Sequence, residues 1–111
     1  FLDTFPQQTI SATPLVEKAP AVNAQLNRSV ADGRLIINYT GHGGESGWAQ
    51  EQVLTLSDIL SWRNTRLPLL VTATCEFGRY DDPTLVSGAE LALLSASGGA
   101  MGLLTTTRPV Y

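Results

Sequence analysis

"NYTGHGGESGW" runs from Asn38 to Trp48 and holds the only histidine of the chain, His42. The run leading into it, "RLIINYT" (Arg34 to Thr40), is short and almost continuously apolar, the pattern of a strand buried on both faces. Glycines and polar residues follow and close that strand. Thirty-three positions beyond His42, "VTATCEFG" (Val71 to Gly78) repeats the arrangement. There the apolar "LLVTAT" (Leu69 to Thr74) leads into the only cysteine, Cys75, and a polar loop. The fold and the function both turn on whether these two singletons meet.

The flanking segments alternate with these strands. Residues 1–18 carry Pro6 and Pro14 without a clear period and read as an extended lead-in to a domain over residues 19–111. A helix follows, with Pro20 in its first turn, Val22, Leu26 and Val30 at a four-residue step, and Gly33 as its stop. Between the two strands, Thr55 and Asp58 form a weaker version of a capping box, and Leu56, Ile59 and Leu60 form an apolar stripe. After Pro83, Ser87 and Glu90 form a second capping box. Their helix turns Leu91 and Leu94 toward the core and ends at Gly98–Gly99. "AMGLLTTT" (Ala100 to Thr107) reads as a third strand. Helix and buried-type strand alternate three times, which predicts an α/β fold with a parallel sheet.

Composition narrows the function classes. At 111 residues and 43% apolar, the chain has the size of one small domain with a core. A net charge of −3 with scattered Arg and Lys gives no footprint for nucleic acid, and no apolar run reaches a membrane span. One Cys and one His, far apart, supply too few ligands for a zinc site, so neither metal nor cofactor is expected. The chain opens on Phe1 rather than Met, and an open three-stranded sheet leaves two unpaired edges. We therefore expect a piece of a larger fold, whose edges would meet the remainder of the parent domain or a second copy.

A strand–helix–strand unit takes about 30 residues, so points one unit apart in sequence fall at the same end of neighbouring parallel strands. His42 and Cys75 would both emerge at the carboxyl end of the sheet, where open α/β sheets place their ligands. Neighbouring strands lie about 4.8 Å apart. An imidazole beside a thiol can take its proton, support the nucleophilic thiolate and then protonate a leaving amine. Gly43 and Gly44 after the histidine allow close backbone approach, and the Gly43 and Cys75 amides could serve a tetrahedral oxyanion. Each feature also has an ordinary reading. A lone Cys after a strand is commonly a small buried hydrophobe. A loop His is commonly surface, and "GHGG" serves equally as a tight turn or an anion-binding nest.

"INYTGHGGESGWAQEQVLTLSDI" and "LPLLVTATCEFGRYDDP" resemble the gingipain-type cysteine peptidases, peptidase family C25 of the caspase-like clan. In those enzymes a strand leads to a His-Gly loop, and after a helix a second strand ends in the nucleophilic Cys. "SGAELALLSASGGAMGLLTTTRPVY" sharpens the match toward the sortase-like peptidases of the type IX secretion system of Bacteroidetes. The resemblance covers roughly Asp32 to Tyr111 and implies part of a caspase-like parallel sheet flanked by helices. It makes Cys75 the nucleophile and His42 its base and acid, with Gly43 and Cys75 as oxyanion donors. Glu76, Trp48 and Arg108 become candidate substrate contacts, each with an alternative as solvated charge or loop anchor. Glu45 carries the same ambiguity, with solvated charge favoured, and Asp81 and Asp82 read as loop and turn residues.

The acidic residues that orient the histidine and line the basic-residue pocket of gingipains lie outside the matching stretch. Neither a third catalytic residue nor Arg/Lys specificity can therefore be carried over. The implied function is a cysteine endopeptidase or transpeptidase acting on exported proteins at the bacterial surface. The alternative is a catalytically inactive caspase-like module serving a secretion machine.

Overall fold

The computed structural model describes residues 15–110. Helix α1 (Leu15–Ala31) leads into strand β1 (Ile36–Thr40), a compact glycine-rich excursion, helix α2 (Leu56–Ser61) and strand β5 (Leu69–Ala73). Helix α3 (Gly88–Leu94) and strand β6 (Gly102–Leu104) complete the order. The excursion contains three two-residue strands, β2 (Gly43–Gly44), β3 (Gly47–Trp48) and β4 (Leu54–Thr55). They form a small antiparallel sheet of their own, which sequence reading treats as loop. Two-residue strands are too short to leave a hydrophobic period.

The main sheet is parallel, in the order β1-β5-β6. The α/β architecture expected from the sequence is present, with three parallel strands and three helices. No helix among the described residues is long and apolar enough to cross a membrane.

One core joins the helices to one face of the sheet. Leu26 and Val30 of α1, Ile59 of α2, Ala89 and Ala92 of α3 and the strand residues Ile37 and Leu70 share it. Each fully buried Leu, Ile or Val contributes about 1.5–3 kcal/mol relative to exposure. Both capping boxes form. The Thr55 hydroxyl accepts from the Asp58 amide while the Asp58 carboxylate accepts from the Thr55 amide, and Ser87 and Glu90 reproduce the pair. Asp58 does more than cap. Its carboxylate also accepts from the side-chain amides of Asn23 and Asn27, tying α2 to α1. Burial alone would raise the Asp58 pKa, but the hydrogen bonds from Thr55, Asn23 and Asn27 outweigh it and hold the carboxyl below its usual range.

Several local expectations change. Helix α1 begins at Leu15, so the boundary placed at residue 18 falls inside it and Pro20 is an interior residue rather than a first-turn one. The part of the lead-in before Leu15 lies outside the described residues. Strand β1 is not buried on both faces: Ile36 is 53% exposed because the core covers only the Ile37 face, and Leu35, just ahead of the strand, is 61% exposed. Leu60 and Leu94 are exposed rather than internal. Helix α3 stops at Leu94, capped by Ser95, four residues before the glycine pair. At Gly99 a side chain would collide with the Ala92 carbonyl, so that glycine lets β6 start close under α3 rather than ending the helix. Strand β6 is limited to Gly102–Leu104, shorter than the run expected at Ala100–Thr107.

Candidate active site

Strands β1 and β5 pair in parallel from Ile36↔Leu69 to Thr40↔Ala73. The ladder carries on for one further bond, Gly41 N–H to the Ala73 carbonyl at 3.1 Å. His42 stands two residues beyond Thr40, and Cys75 two beyond Ala73. The chain's only imidazole and only thiol thus leave the same sheet edge from equivalent register positions. His42 is exposed and Cys75 half-buried.

The two loops touch beside these residues. A Cβ on Gly43 would collide with the Thr74 hydroxyl, so glycine is required for the strand ends to approach this closely. Gly43 and Trp48 oppose one another in the β2–β3 hairpin, and the bond beside them runs from Ala49 N–H to the His42 carbonyl at 2.8 Å. That makes them a non-hydrogen-bonded pair, and the Gly43 N–H is not taken up by this hairpin's ladder.

The histidine loop is braced from below. Tyr39 stacks on Trp48 with ring centroids 4.5 Å apart and planes 2° from parallel. Its hydroxyl donates to the His42 carbonyl at 2.7 Å, so one side chain fixes both the hairpin and the backbone of His42. Burial, and then the nearby Glu51 carboxylate, push the Tyr39 phenol pKa up, which keeps it a proton donor. Trp48 also meets Phe77 at 5.5 Å and is 1% exposed. In this chain its ring packs inside the loop, between Tyr39 and Phe77.

After Cys75 the chain turns sharply. Glu76 adopts φ +52°, a left-handed conformation that costs a non-glycine residue about 1 kcal/mol or more. Its carbonyl accepts from Arg79 N–H at 3.0 Å, and Phe77 beneath it is fully buried. The segment after β6 runs alongside this turn. Gly78 N–H donates to the Thr106 carbonyl and Glu76 N–H to the Arg108 carbonyl, while the Thr106 hydroxyl bonds the Thr74 carbonyl. The Cys75 Sγ lies 3.7 Å from the Val110 carbonyl. Arg108 therefore reaches the turn through its backbone. Its 60%-exposed guanidinium pairs with Asp81 at 2.5 and 3.1 Å and holds that carboxyl below the usual range.

Sequence reading passes over three residues that the structure brings to this edge: Tyr39, Thr74 and Arg79. Arg79 extends its guanidinium among Glu45, Glu76, Asp81 and Asp82. Glu45 and Asp81, read from sequence as a solvated charge and a loop residue, are both ion-paired. Asp82 caps the following turn by accepting from the Thr84 amide and hydroxyl. A faint signal for Arg79 exists in "CEFGRYDD", a single cation set between three acids.

The model of Peptidase family C25 matches residues 1–111. None of the curated protein sequences matches the chain. Among solved structures, one described as "Structure of Protease" is similar over 76% of this chain and 18% of its own, with TM-score 0.69 and 24% identity. The Arg-specific cysteine proteinase gingipain R (RgpB) is similar over 88% of this chain and 27% of its own, with TM-score 0.71 and 16% identity. The complex of the Porphyromonas gingivalis RgpB pro- and mature domains gives TM-score 0.71 at 15% identity, over 93% and 29% of the two chains. The chain spans less than a third of the length of each, and the likeness is one of fold. Fold and family profile agree: the chain belongs to peptidase family C25, the gingipain-type cysteine peptidases.

Proposed function

We propose that this chain carries the nucleophile and base of a cysteine endopeptidase, with Cys75 and His42 acting as a dyad. The observation that carries this reading is the register: both residues stand two positions beyond the matched pair Thr40↔Ala73. In the first step the His42 imidazole takes the Cys75 proton and the sulfur attacks the scissile carbonyl. The Gly43 and Cys75 N–H groups face the oxygen of the tetrahedral intermediate. As that intermediate collapses, the imidazolium gives its proton to the departing amine, leaving a thioester on Cys75. Water resolves the thioester in hydrolysis and a second amine in transpeptidation.

Glu76 on the turn after the nucleophile, Arg108 on the segment after β6 that bonds that turn, and Trp48 in the histidine loop are the candidate substrate contacts. The substrate class is protein or peptide. The resemblance of residues 87–111 to the sortase-like PorU branch supports a role in processing exported proteins at a bacterial surface. The parent domain, or a second copy, covers the exposed strand edges.

The test is the alkylation of Cys75 by iodoacetamide at pH 6. A dyad makes Cys75 react at least about tenfold faster than a free thiol, and His42→Ala removes that advantage. Equal rates in the wild type and His42→Ala would replace this reading with the inactive caspase-like module.

A further inference from the structure

One charged side chain joins the two loops of the candidate site. Glu45 lies three residues beyond His42, and Glu76 directly follows Cys75. The same nitrogen of Arg79, Nη1, lies 2.6 Å from Glu45 Oε1 and 3.7 Å from Glu76 Oε1. Arg79 belongs to the Cys75 turn, through the bond from its N–H to the Glu76 carbonyl. Glu45 belongs to the histidine loop, and its backbone carbonyl is held by the Gly88 N–H at the start of α3. The ion pair is therefore a charged tie, beside the Trp48–Phe77 contact, between segments that are far apart in sequence.

The charge balance makes that tie matter. Glu45, Glu76, Asp81 and Asp82 place four carboxylates around Arg79, and Arg108 is engaged with Asp81. With the Arg79 guanidinium removed, Glu45 and Glu76 would face each other without a shared counter-ion and push the histidine loop away from the cysteine turn. The Glu76 backbone, already at φ +52°, would also lose part of what holds it there.

We propose that Arg79 is a positioning residue, bridging Glu45 and Glu76 so that the His42 loop and the Cys75 turn keep a fixed spacing. This rests on the Cys75–His42 reading for its catalytic meaning, but the coupling of the loops can be measured by itself. The bridge is half-covered and bound by a flexible pair of side chains, so its effect is modest and sensitive to salt.

The experiment places the change on one loop and the readout on the other. Glu45→Gln alters only the histidine loop, and amide hydrogen exchange is followed at residues 75–78 in the full chain. We expect exchange there to accelerate roughly two- to fivefold. Arg79→Ala should do the same, and combining the two changes should add nothing. Arg79→Lys keeps the charge without the planar fork and should restore part of the protection. In the same variants, the pH profile of Cys75 alkylation should move in Arg79→Ala and return toward wild type in Arg79→Lys.

Unchanged exchange at residues 75–78 in Glu45→Gln would overturn the proposal, even if Arg79→Ala failed to fold. So would an Arg79→Ala variant that melts earlier yet keeps the wild-type alkylation profile. If His42→Ala leaves alkylation unchanged, the dyad falls, and the exchange result alone decides whether Arg79 joins the loops.

Discussion

The two tryptophans are both buried, but the regions around them are built differently. On the helical side, the Trp62 indole N–H donates to Asn27 Oδ1 at 2.7 Å. Asn27 in turn donates to Asp58, which completes the α2 capping box, so each polar group named here has a partner. At the sheet edge, Trp48 stacks well but its indole N–H is buried without a partner. The Thr74 hydroxyl is likewise unpartnered, and Arg79 Nε has no hydrogen bond, with Asp81 Oδ1 3.6 Å away. These three are the buried side-chain polar atoms found without a hydrogen bond among the described residues. The non-glycine residues with positive φ there, Ala49, Gln52 and Glu76, fall in the same region. Unmet polar groups and backbone strain gather around Cys75 and His42, while the helical network is satisfied. The structure thus carries these costs at the sheet edge and not in the helical layer.

The contrast can be broken most forcefully on the helical side. Asp58→Ala removes an acceptor shared by Thr55, Asn23 and Asn27 and should lower unfolding free energy by about 3 kcal/mol in denaturant melts. The lowered Asp58 pKa fixes the acid behaviour. Its contribution is present above the unfolded value of 3.8 and is lost as pH falls through the lower folded value. Wild-type stability should therefore drop below about pH 4. Asp58→Asn should flatten that part of the curve, and an unchanged acid limb in the variant would show that other carboxylates govern it.

At the sheet edge, Gly43→Ala forces a methyl group onto the Thr74 hydroxyl and should cost about 2 kcal/mol. Adding Thr74→Ala opens space and should recover part of that loss in the same melts. Simple additivity would mean that the two loops are not in contact.

The tryptophans themselves give the next test. Trp62→Phe strands Asn27 Oδ1 as well as leaving space, whereas Trp48→Phe breaks no hydrogen bond. The former should be more destabilising by about 1 kcal/mol. Equal losses would erase the distinction between the two regions. Smallest of all is Thr74→Val, which exchanges an unpartnered hydroxyl for a methyl. Thermal stability should stay within about 0.5 kcal/mol of wild type or rise, since no bond is lost. A clear fall would show that the hydroxyl has a partner after all.

Much of this was legible in the sequence because the signals are local. Thr55–Asp58 and Ser87–Glu90 are reciprocal caps whose partners sit three residues apart, and both formed as read. "LLVTAT" and "RLIINYT" were recognisable as strands by their apolar runs. The burial of particular leucines was not legible. Leu94 and Ile36 look internal by pattern, yet are 75% and 53% exposed, because what covers a face is decided by distant chain. The two-residue strands of the hairpin sheet left no period to detect. Arg79 gave only a faint cue, since the carboxylate it bonds most closely lies 34 positions away.

By itself the sequence determined the alternation of helix and strand, the position of His42 and Cys75 just past two apolar runs, and the capped starts of α2 and α3. Those depend on interactions spanning a few residues, so residue type and spacing suffice. Tertiary structure decided that β1 and β5 pair with Thr40 opposite Ala73, that Gly43 must be glycine because Thr74 lies against it, and that Arg79 reaches Glu45. Each of those depends on which groups meet across 30 or more residues of chain. Register and packing fix that, and a linear pattern does not encode it.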